Sequence, residues 1–208
     1  DGNPLTDSKG QVTSHLKGLF NRCVYFKKHN IKPVFVFDGE APKLKEKERQ
    51  QRRERRIEAD RKYQEAVELD LMEDAKKYAQ GMNQLNEEMV KEAKTLVQLF
   101  GFPVVQAPSE GEAQAAKMVG EQQVFASASQ DFDSLLFGSK HLLRNISVSM
   151  RRKIPGSTSY KDIPIEHYDL EKNLERLHLS LDELVIVAIL VGTDFNPGGI
   201  KGIGPKKA

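Results

Sequence analysis

The sequence is poor in the residues that build disulfide frameworks and membrane spans. Of its 208 residues, one is cysteine and none is tryptophan. A single cysteine, Cys23, excludes an internal disulfide and a cysteine-based zinc site, and it is typical of a reducing compartment. The longest strictly apolar run, residues 184–191, covers eight positions, whereas a membrane-spanning helix needs about 20. We therefore expect a soluble protein that carries no signal peptide.

Charge is nearly balanced in total but unevenly distributed along the chain. The net charge is +2, yet residues 43–62 contain ten basic and five acidic side chains, a local excess of +5, and residues 109–138 have a local charge of −4. Basic side chains bind phosphates, and clustered carboxylates bind cations. This distribution favours a metal-dependent enzyme that acts on a polyanion.

Apolar patterning predicts an α/β fold with a mostly parallel central sheet and helices on both faces, because predicted strands alternate with predicted helices. The predicted strands are residues 34–37, 103–105 and 124–128. The predicted helices are residues 13–29, 89–100 and 181–191. Four aromatic side chains are assigned to the core: Phe35, Phe37, Phe100 and Phe125. Residues 45–56 contain no apolar side chain, so we expect a helix there that projects into solvent and is mobile until a partner binds.

Six carboxylates follow the predicted strands or the last apolar helix: Asp38, Glu110, Glu112, Asp131, Asp133 and Asp194. In parallel α/β sheets the carboxyl ends of the strands meet at one edge, where ligands bind. Carboxylates gathered there repel one another unless Mg²⁺ or Mn²⁺ neutralises them, and two such ions can support phosphodiester hydrolysis. Taken singly, each residue has a simpler explanation, as a helix-dipole partner or a turn residue. Their repetition at equivalent places favours a metal site.

Two basic segments are candidates for phosphate contacts. Residues 192–208 carry the Gly-hydrophobic-Gly core of a helix-hairpin-helix element, in which glycines and following lysines bind a phosphate without reading bases. The alternative is a flexible Gly/Lys tail. Residues 43–62 could be a solvated helix laced with ion pairs, but their excess charge and lack of an apolar face favour a phosphate-contacting arm.

Four motifs together resemble those of the flap endonuclease family of structure-specific 5′ nucleases, in its archaeal form. They are VFDGEAP at 36–42, APSEGEAQA at 107–115, SQDFDSLLFG at 129–138 and GTDFNPGGIKGIG at 192–204. The resemblance implies a metal-dependent nuclease that binds branched or flapped DNA, threads the 5′ flap under a helical arch and cuts near the junction, in replication and repair.

The resemblance also implies roles for individual residues. Asp38, Glu110, Glu112 and Asp131 would form one group of ligands for Mg²⁺, with Asp133 and Asp194 completing a second metal position; Mn²⁺ can substitute. Lys45 and Arg52 match the arch-base residues that contact the scissile phosphate. The helix-hairpin-helix would hold the duplex through a bound K⁺, and Thr13 falls where the family binds a 3′ flap. The remaining expected DNA contacts are Arg49, Arg53, Gly202, Gly204, Lys206 and Lys207.

The expected organisation is a single nuclease domain over residues 1–208. It includes a basic helical arch at 43–82 and a truncated helix-hairpin-helix at 192–208. The resemblance places the family's first strand, with a further metal-ligating Asp, before Asp1, and a peptide that binds the sliding clamp after the chain. We expect a location in the cytoplasm or nucleoid of an archaeon, or in the nucleus of a eukaryote, with no membrane association or secretion.

Three other functions stay open at this point. A related 5′ exonuclease of mismatch repair would differ in its ratio of flap to blunt-duplex cleavage. A DNA-binding module without catalysis would use the basic arm and the tail alone. A haloacid-dehalogenase-like phosphatase would use Asp38 as nucleophile, but its second Asp, two residues on, is replaced here by Glu40.

Overall fold

The computed structural model describes residues 12–69, 85–146 and 159–208, the backbone of 151–153, and single positions at 5, 6, 8, 71, 74 and 78. Within this part of the chain, no helix has both the length and the apolar character needed to cross a membrane.

Helices and strands alternate over the described residues, which confirms the predicted α/β class. The helices are α1 (Ser14–Lys28), α2 (Glu46–Glu68), α3 (Glu87–Leu99), α4 (Gly111–Gly120), α5 (Asp133–Leu136), α6 (Leu170–Leu177) and α7 (Leu181–Val191). A short 3₁₀ turn, Lys43–Lys45, precedes α2. The strands are β1 (Phe35–Phe37), β2 (Val104–Gln106), β3 (Ser127–Ala128), β4 (His141–Arg144), β5 (Arg151–Lys153), β6 (Tyr160–Asp162) and β7 (Glu166–Asp169).

The described strands pair in three small sheets, and this differs from the single central sheet that we predicted. β1 pairs with β2 in parallel, from Phe35 opposite Val104 to Phe37 opposite Gln106. β3 and β4 are parallel, and β7 adds to β4 in the antiparallel direction. β5 and β6 form an antiparallel pair. The predicted strand at 124–128 is shorter than expected, since only Ser127 and Ala128 pair with β4.

A cleft separates the first two sheets. It has a volume of about 600 Å³ and is lined by residues 34–36 on one side and 126–129 on the other. Among the described strands, β1 and β3 each pair on one edge only, and residues of both strands line this cleft.

The main core lies between α1, α3 and the β1–β2 pair. Cys23 and Phe26 of α1 pack with Val97 of α3 and with Phe102, and all four side chains are buried. Phe35 and Phe100 pack against this cluster as predicted. The assignment of Phe125 to the core is wrong: its side chain is 69% exposed and stacks on His141 at the surface.

Helix α2 lies largely in solvent. Ala66 is its one buried residue, and charged side chains such as Arg61, with Glu58 and Glu65, pair along the helix surface. The predicted basic helix therefore exists from Glu46 to Glu68. Most of residues 70–82, the second part of the predicted arch, lie outside the described residues.

Helix α7 ends where the chain turns toward the carboxylates. A capping box begins it, in which Glu183 accepts a hydrogen bond from the Ser180 backbone N–H at 2.8 Å and the Ser180 hydroxyl accepts one from Glu183 N. Gly192 ends the helix with φ = +117°, and a Cβ at this position would lie 2.8 Å from the Gly199 nitrogen. Only glycine fits here, and the turn that it permits carries Asp194. Residues 192–208 continue in turns.

Candidate active site

The end of strand β1 is fastened to the start of helix α4. Asp38 Oδ1 accepts a hydrogen bond of 2.7 Å from the Gly111 backbone N–H, and the Gln106 amide donates to the Asp38 carbonyl at 2.7 Å. Gly39 lies so close to the second loop that a Cβ would come within 2.2 Å of the Ala107 carbonyl oxygen. These contacts hold the Asp38 carboxylate against the N-terminus of α4, beside Glu110.

Two cations from the start of α2 reach carboxylates of other segments. Lys45 Nζ lies 2.5 Å from Glu110 Oε2 and 3.4 Å from Asp194 Oδ2, and it stands 4.6 Å from the centre of the Phe195 ring. Arg52 Nη2 lies 2.9 Å from the same Asp194 oxygen. The 3₁₀ turn and the beginning of α2 therefore join the loop before α4 to the loop after α7.

Arg52 and Lys45 differ in their surroundings. The Lys45 side chain is 12% exposed, whereas Arg52 is 55% exposed and also pairs with Glu48, at 2.6 Å through its Nε. The hydrogen bond to Glu48 and the charge of Asp194 raise the pKa of the Arg52 guanidinium. Burial opposes the charge of Lys45, but the hydrogen bonds and charges of Glu110 and Asp194 outweigh it and raise the pKa of its ammonium. Both groups are cationic at neutral pH.

One serine, Ser129, forms hydrogen bonds with both Glu112 and Asp131. The Ser129 hydroxyl donates a hydrogen bond to Glu112 Oε1 and accepts one of 3.1 Å from the Asp131 backbone N–H. The second Glu112 oxygen, Oε2, is buried and has no hydrogen-bond partner among the described residues. A buried carboxylate oxygen without a partner carries a large desolvation cost, so this oxygen is ready to accept a cation.

The electrostatics of the cluster favour a positive ligand. Burial, and then the charges of Asp133 and Asp131, raise the pKa of the Glu112 carboxyl, although the Ser129 hydrogen bond opposes this shift. Burial, and then the charges of Asp194, Asp131 and Glu110, raise the pKa of the Asp133 carboxyl. The charges that act on these two groups come from three acidic segments, and the Asp38 carboxylate, hydrogen-bonded to the Gly111 N–H, adds a fourth beside them.

The carboxylate oxygens of this cluster are the ligands that a hard divalent cation prefers, but two of the carboxylates form ion pairs within the protein. Among the residues that the structure describes, no group of three or more acidic, histidine or cysteine side chains is placed so that it could hold a metal ion. Lys45 and Arg52 instead contact Glu110 and Asp194. These two cations leave one buried oxygen of Glu112 without a partner among the described residues.

In the described part of the chain, the hydrogen bonds of the other residues predicted to contact DNA have partners other than the six carboxylates. Arg49 pairs with Glu46 on the exposed face of α2 at 3.4 Å, and Arg53 is exposed on the same helix. Thr13 directly precedes α1 without a side-chain hydrogen bond to the helix, and its hydroxyl donates to the Leu5 carbonyl at 3.3 Å. In the tail, Lys206 and Lys207 are exposed, and Gly202 has φ = +84°.

Three residues of the site have no role in the sequence interpretation: Ser129, Glu48 and Phe195. A signal exists for Ser129, because a hydroxyl two residues before an Asp is typical of a turn in which the side chain accepts a backbone hydrogen bond. Glu48 could have been identified as the i−4 partner of Arg52. Nothing in the local sequence indicates the contact between Phe195 and Lys45, because it joins segments about 150 residues apart.

Comparisons with known proteins agree with this geometry. The XPG N-terminal domain matches residues 3–59, and the XPG I-region matches residues 101–194. The flap endonuclease 1 of Pyrococcus furiosus is 55% identical over 208 residues, which are 100% of this chain and 61% of that protein. The chain thus spans about three fifths of the length of this curated relative.

Solved structures give the same result. Flap endonuclease-1 from Methanococcus jannaschii has a TM-score of 0.70 at 43% identity, over 100% of this chain and 62% of that one. The catalytic core of Rad2 in complex with DNA substrate has a TM-score of 0.67 at 31% identity, over 97% and 53% of the two chains. The Holliday junction-resolving enzyme GEN1, in complex with product DNA and a Mg²⁺ ion, has a TM-score of 0.56 at 27% identity, over 92% and 35%.

The similarity extends from one end of the chain to the other, and it includes the four segments that supply the clustered carboxylates. The chain therefore belongs to the flap endonuclease family, among the nucleases that share the XPG N-terminal and I-region domains.

Proposed function

We propose that the protein is a structure-specific 5′ flap endonuclease that hydrolyses a phosphodiester at junctions of single-stranded and duplex DNA, in replication and repair. One observation carries the proposal: Lys45 and Arg52 contact Glu110 and Asp194, the charges of Asp131 and Asp194 act on Asp133, and Asp38 is hydrogen-bonded to Gly111, next to Glu110. A cluster of acids flanked by two cations matches the needs of phosphodiester hydrolysis, in which acids bind metal ions and cations stabilise developing charge.

The six acidic side chains are the proposed ligands of two Mg²⁺ ions. Asp38, Glu110, Glu112 and Asp131 would hold one ion, and Asp133 and Asp194 would complete the second position. Two divalent cations held there would activate a water for attack and stabilise the leaving oxygen. The all-oxygen donor set and the orphaned Glu112 oxygen support this role, and the Mg²⁺ of the GEN1 complex belongs to a structural neighbour. Mn²⁺ would replace Mg²⁺.

Lys45 and Arg52 are proposed to bind the scissile phosphate. In the absence of DNA they neutralise Glu110 and Asp194. With divalent cations bound by Glu110 and Asp194, the Lys45 ammonium and the Arg52 guanidinium would be free to bind phosphate oxygens at the same place. The Phe195 ring, 4.6 Å from Lys45 Nζ, would hold the ammonium near the site during this exchange.

The duplex and the flap are proposed to lie along the basic surfaces. Exposed cations of α2, including Arg49 and Arg53, would contact the flap beneath the arch of residues 43–82. The turns of residues 192–208 would bind the duplex backbone through Gly202, Gly204, Lys206 and Lys207, with a K⁺ ion held there. Thr13 would contact a 3′ flap. Such contacts to phosphates position DNA without reading its sequence.

The cleft between β1 and β3 supports the expected organisation of one nuclease domain. A strand that entered it could pair with both free edges and join the two sheets into one. We propose that this is the place of the strand that the resemblance puts before Asp1, whose further Asp would then reach the carboxylates. Binding of a sliding clamp and location in the cytoplasm or nucleoid, or in a eukaryotic nucleus, rest on the resemblance alone.

The decisive experiment uses the full-length protein and a flap substrate. Asp131→Ala should abolish cleavage in Mg²⁺ while the variant still binds the flap in Ca²⁺, because the change removes a ligand and leaves the basic surfaces intact. The matched control is Asp182→Ala, which removes an exposed carboxylate from the first turn of α7 and should cleave like the wild type. Unchanged turnover by the Asp131 variant would refute the proposal.

The same assay separates the rival functions when flap, nicked, blunt-duplex and single-stranded substrates are compared with and without Mg²⁺. Preference for the flap supports the proposal. Preference for blunt duplex ends would identify a 5′ exonuclease instead, and binding without any cleavage by the wild type would identify a non-catalytic DNA-binding module.

A further inference from the structure

Ser129 occupies the point where two of the acidic segments meet. It directly follows β3, and its backbone N–H donates to the Leu143 carbonyl of β4 at 3.2 Å. Its hydroxyl is the donor to Glu112 Oε1 on α4 and the acceptor for Asp131 N in the next loop. The backbone of Ser129 is therefore hydrogen-bonded to the sheet, and its side chain contacts both acidic segments.

Buried serine hydroxyls connect the two elements on either side of the loop that follows Ser129. Ser127, Ser134 and Ser139 are buried, and the Ser127 hydroxyl lies 3.0 Å from that of Ser134 and 2.9 Å from that of Ser139. This hydroxyl cluster joins β3 to α5 below the loop that carries Asp131. Hydrogen bonds thus connect the two ends of the loop, and the Ser129 hydroxyl adds one to its middle, at the Asp131 N–H.

The hydrogen bond from Ser129 determines which oxygen of Glu112 stays free to bind a cation. A carboxylate has two oxygens, and Ser129 engages Oε1, which leaves Oε2 buried and without a partner among the described residues. The side chain is thus held in one rotamer that keeps a single oxygen available. Residues that hydrogen-bond to metal-ligating carboxylates orient them, and their loss typically weakens metal binding about 10–100-fold.

We propose that Ser129 is a positioning residue, which holds Glu112 and Asp131 in the geometry that binds the divalent cation. The inference deepens the proposed function and rests on it, because it takes these two carboxylates as ligands. Ser129 contacts neither DNA nor the reacting atoms in this role. It acts only through the two acids.

The test measures metal binding directly, on the full-length protein without DNA, from the binding of Mn²⁺ followed by electron paramagnetic resonance. Ser129→Ala should raise the Mn²⁺ dissociation constant about tenfold. Ser129→Thr keeps the hydroxyl and should restore affinity to within about threefold of the wild type. Ser109→Ala is the matched serine control, because the Ser109 hydroxyl bonds the Glu40 carbonyl and none of the six carboxylates; its affinity should not change.

A second readout separates positioning from a loss of folding. Cleavage of the flap by Ser129→Ala should return toward the wild-type rate as Mn²⁺ is raised, with its thermal midpoint in EDTA close to that of the wild type. Wild-type Mn²⁺ affinity in Ser129→Ala would overturn the inference, and so would weak binding that Ser129→Thr shares. A wild-type protein that binds Mn²⁺ but does not cut flaps would refute the proposed function and leave the effect of Ser129 on metal binding measurable.

Discussion

At the scale of single residues, the site depends on close backbone approaches that only glycine permits. Gly111 opens α4, and a Cβ there would lie 2.9 Å from Asp38 Oδ1, closer than a carbon and an oxygen normally approach. The carboxylate is the end of a flexible side chain, so it would move while the backbone stayed in place. The absence of a side chain at position 111 therefore matters for the site more than for the fold.

Gly111→Ala is expected to reduce flap cleavage by up to about 10²-fold, because misplacing a proposed ligand by about 1 Å can cost that much. Its thermal midpoint should not fall, because alanine favours helix more than glycine does. Gly120→Ala is the matched control on the same helix, since a Cβ there meets nothing within 4 Å. Cleavage rates and thermal midpoints of the two variants test this. Equal rates would show that Asp38 tolerates the added methyl group.

At the scale of elements, α2 links the surface of the molecule to its acidic centre. The helix has almost no buried side chains, so its position depends on charge pairs at its start, where Lys45 and Arg52 reach Glu110 and Asp194. Farther along, the ion pairs of Arg61 with described residues are to Glu58 and Glu65 of the same helix. The start of α2 is therefore the part of the helix that is connected to the chemistry.

Lys45→Ala and Arg52→Ala are each expected to lower the single-turnover cleavage rate about 10²-fold, which is typical of losing one group that stabilises transition-state charge. Mn²⁺ should bind these variants no less tightly, because a cation that competes for Glu110 or Asp194 has been removed. Arg61→Ala is the control and should cleave normally. A loss of rate of the same size in Arg61→Ala would mean that the general charge of α2 matters, and not the two contacts.

At the scale of the whole molecule, a small net charge conceals an acidic centre and a basic helix. The net charge is +2, but burial and neighbouring carboxylates raise the pKa values of Glu112 and Asp133. A carboxyl whose pKa is higher in the folded state than in the unfolded state binds more protons when folded. When such a carboxyl ionises, the metal-free protein loses stability. This loss begins as the pH rises above the ordinary pKa of the carboxyl, which for Asp133 is 3.8.

Asp133→Asn removes this unfavourable ionisation, so in EDTA the variant should have a higher thermal midpoint than the wild type at neutral pH. Each 1 kcal/mol corresponds to about 2–4 °C in a chain of this size. The difference should shrink as the pH falls, because Asp133 of the wild type then takes up its proton and the unfavourable charge is lost. Mg²⁺ should reverse the order, because only an intact site gains stability from the bound ion. Thermal scans of the full-length protein between pH 4.5 and 8 test this, and a difference that does not change with pH would contradict it.

Local sequence was sufficient to predict much of the architecture. The apolar runs before Asp38 and after Phe102, and the stripes of α1, α3 and α7, correspond to observed elements, because burial imposes a period on each of them. The strand-end rule also selected the six acids without any structure. The assignment of Phe125 to the core failed because the strand begins only at Ser127, so that Phe125 precedes it and stays exposed.

Sequence alone determined which residues are available to this protein: acids at the ends of strands, a helix without an apolar face, and glycines where the chain turns. Tertiary structure decided the pairings. Lys45 meets Glu110, Asp194 and Phe195, and Ser129 joins Glu112 to Asp131, through contacts between segments that lie far apart in the chain. Such contacts depend on how helices and sheets pack, and packing depends on all the buried side chains together. The rotamer of Glu112 and the position of Lys45 therefore emerge only from the folded molecule.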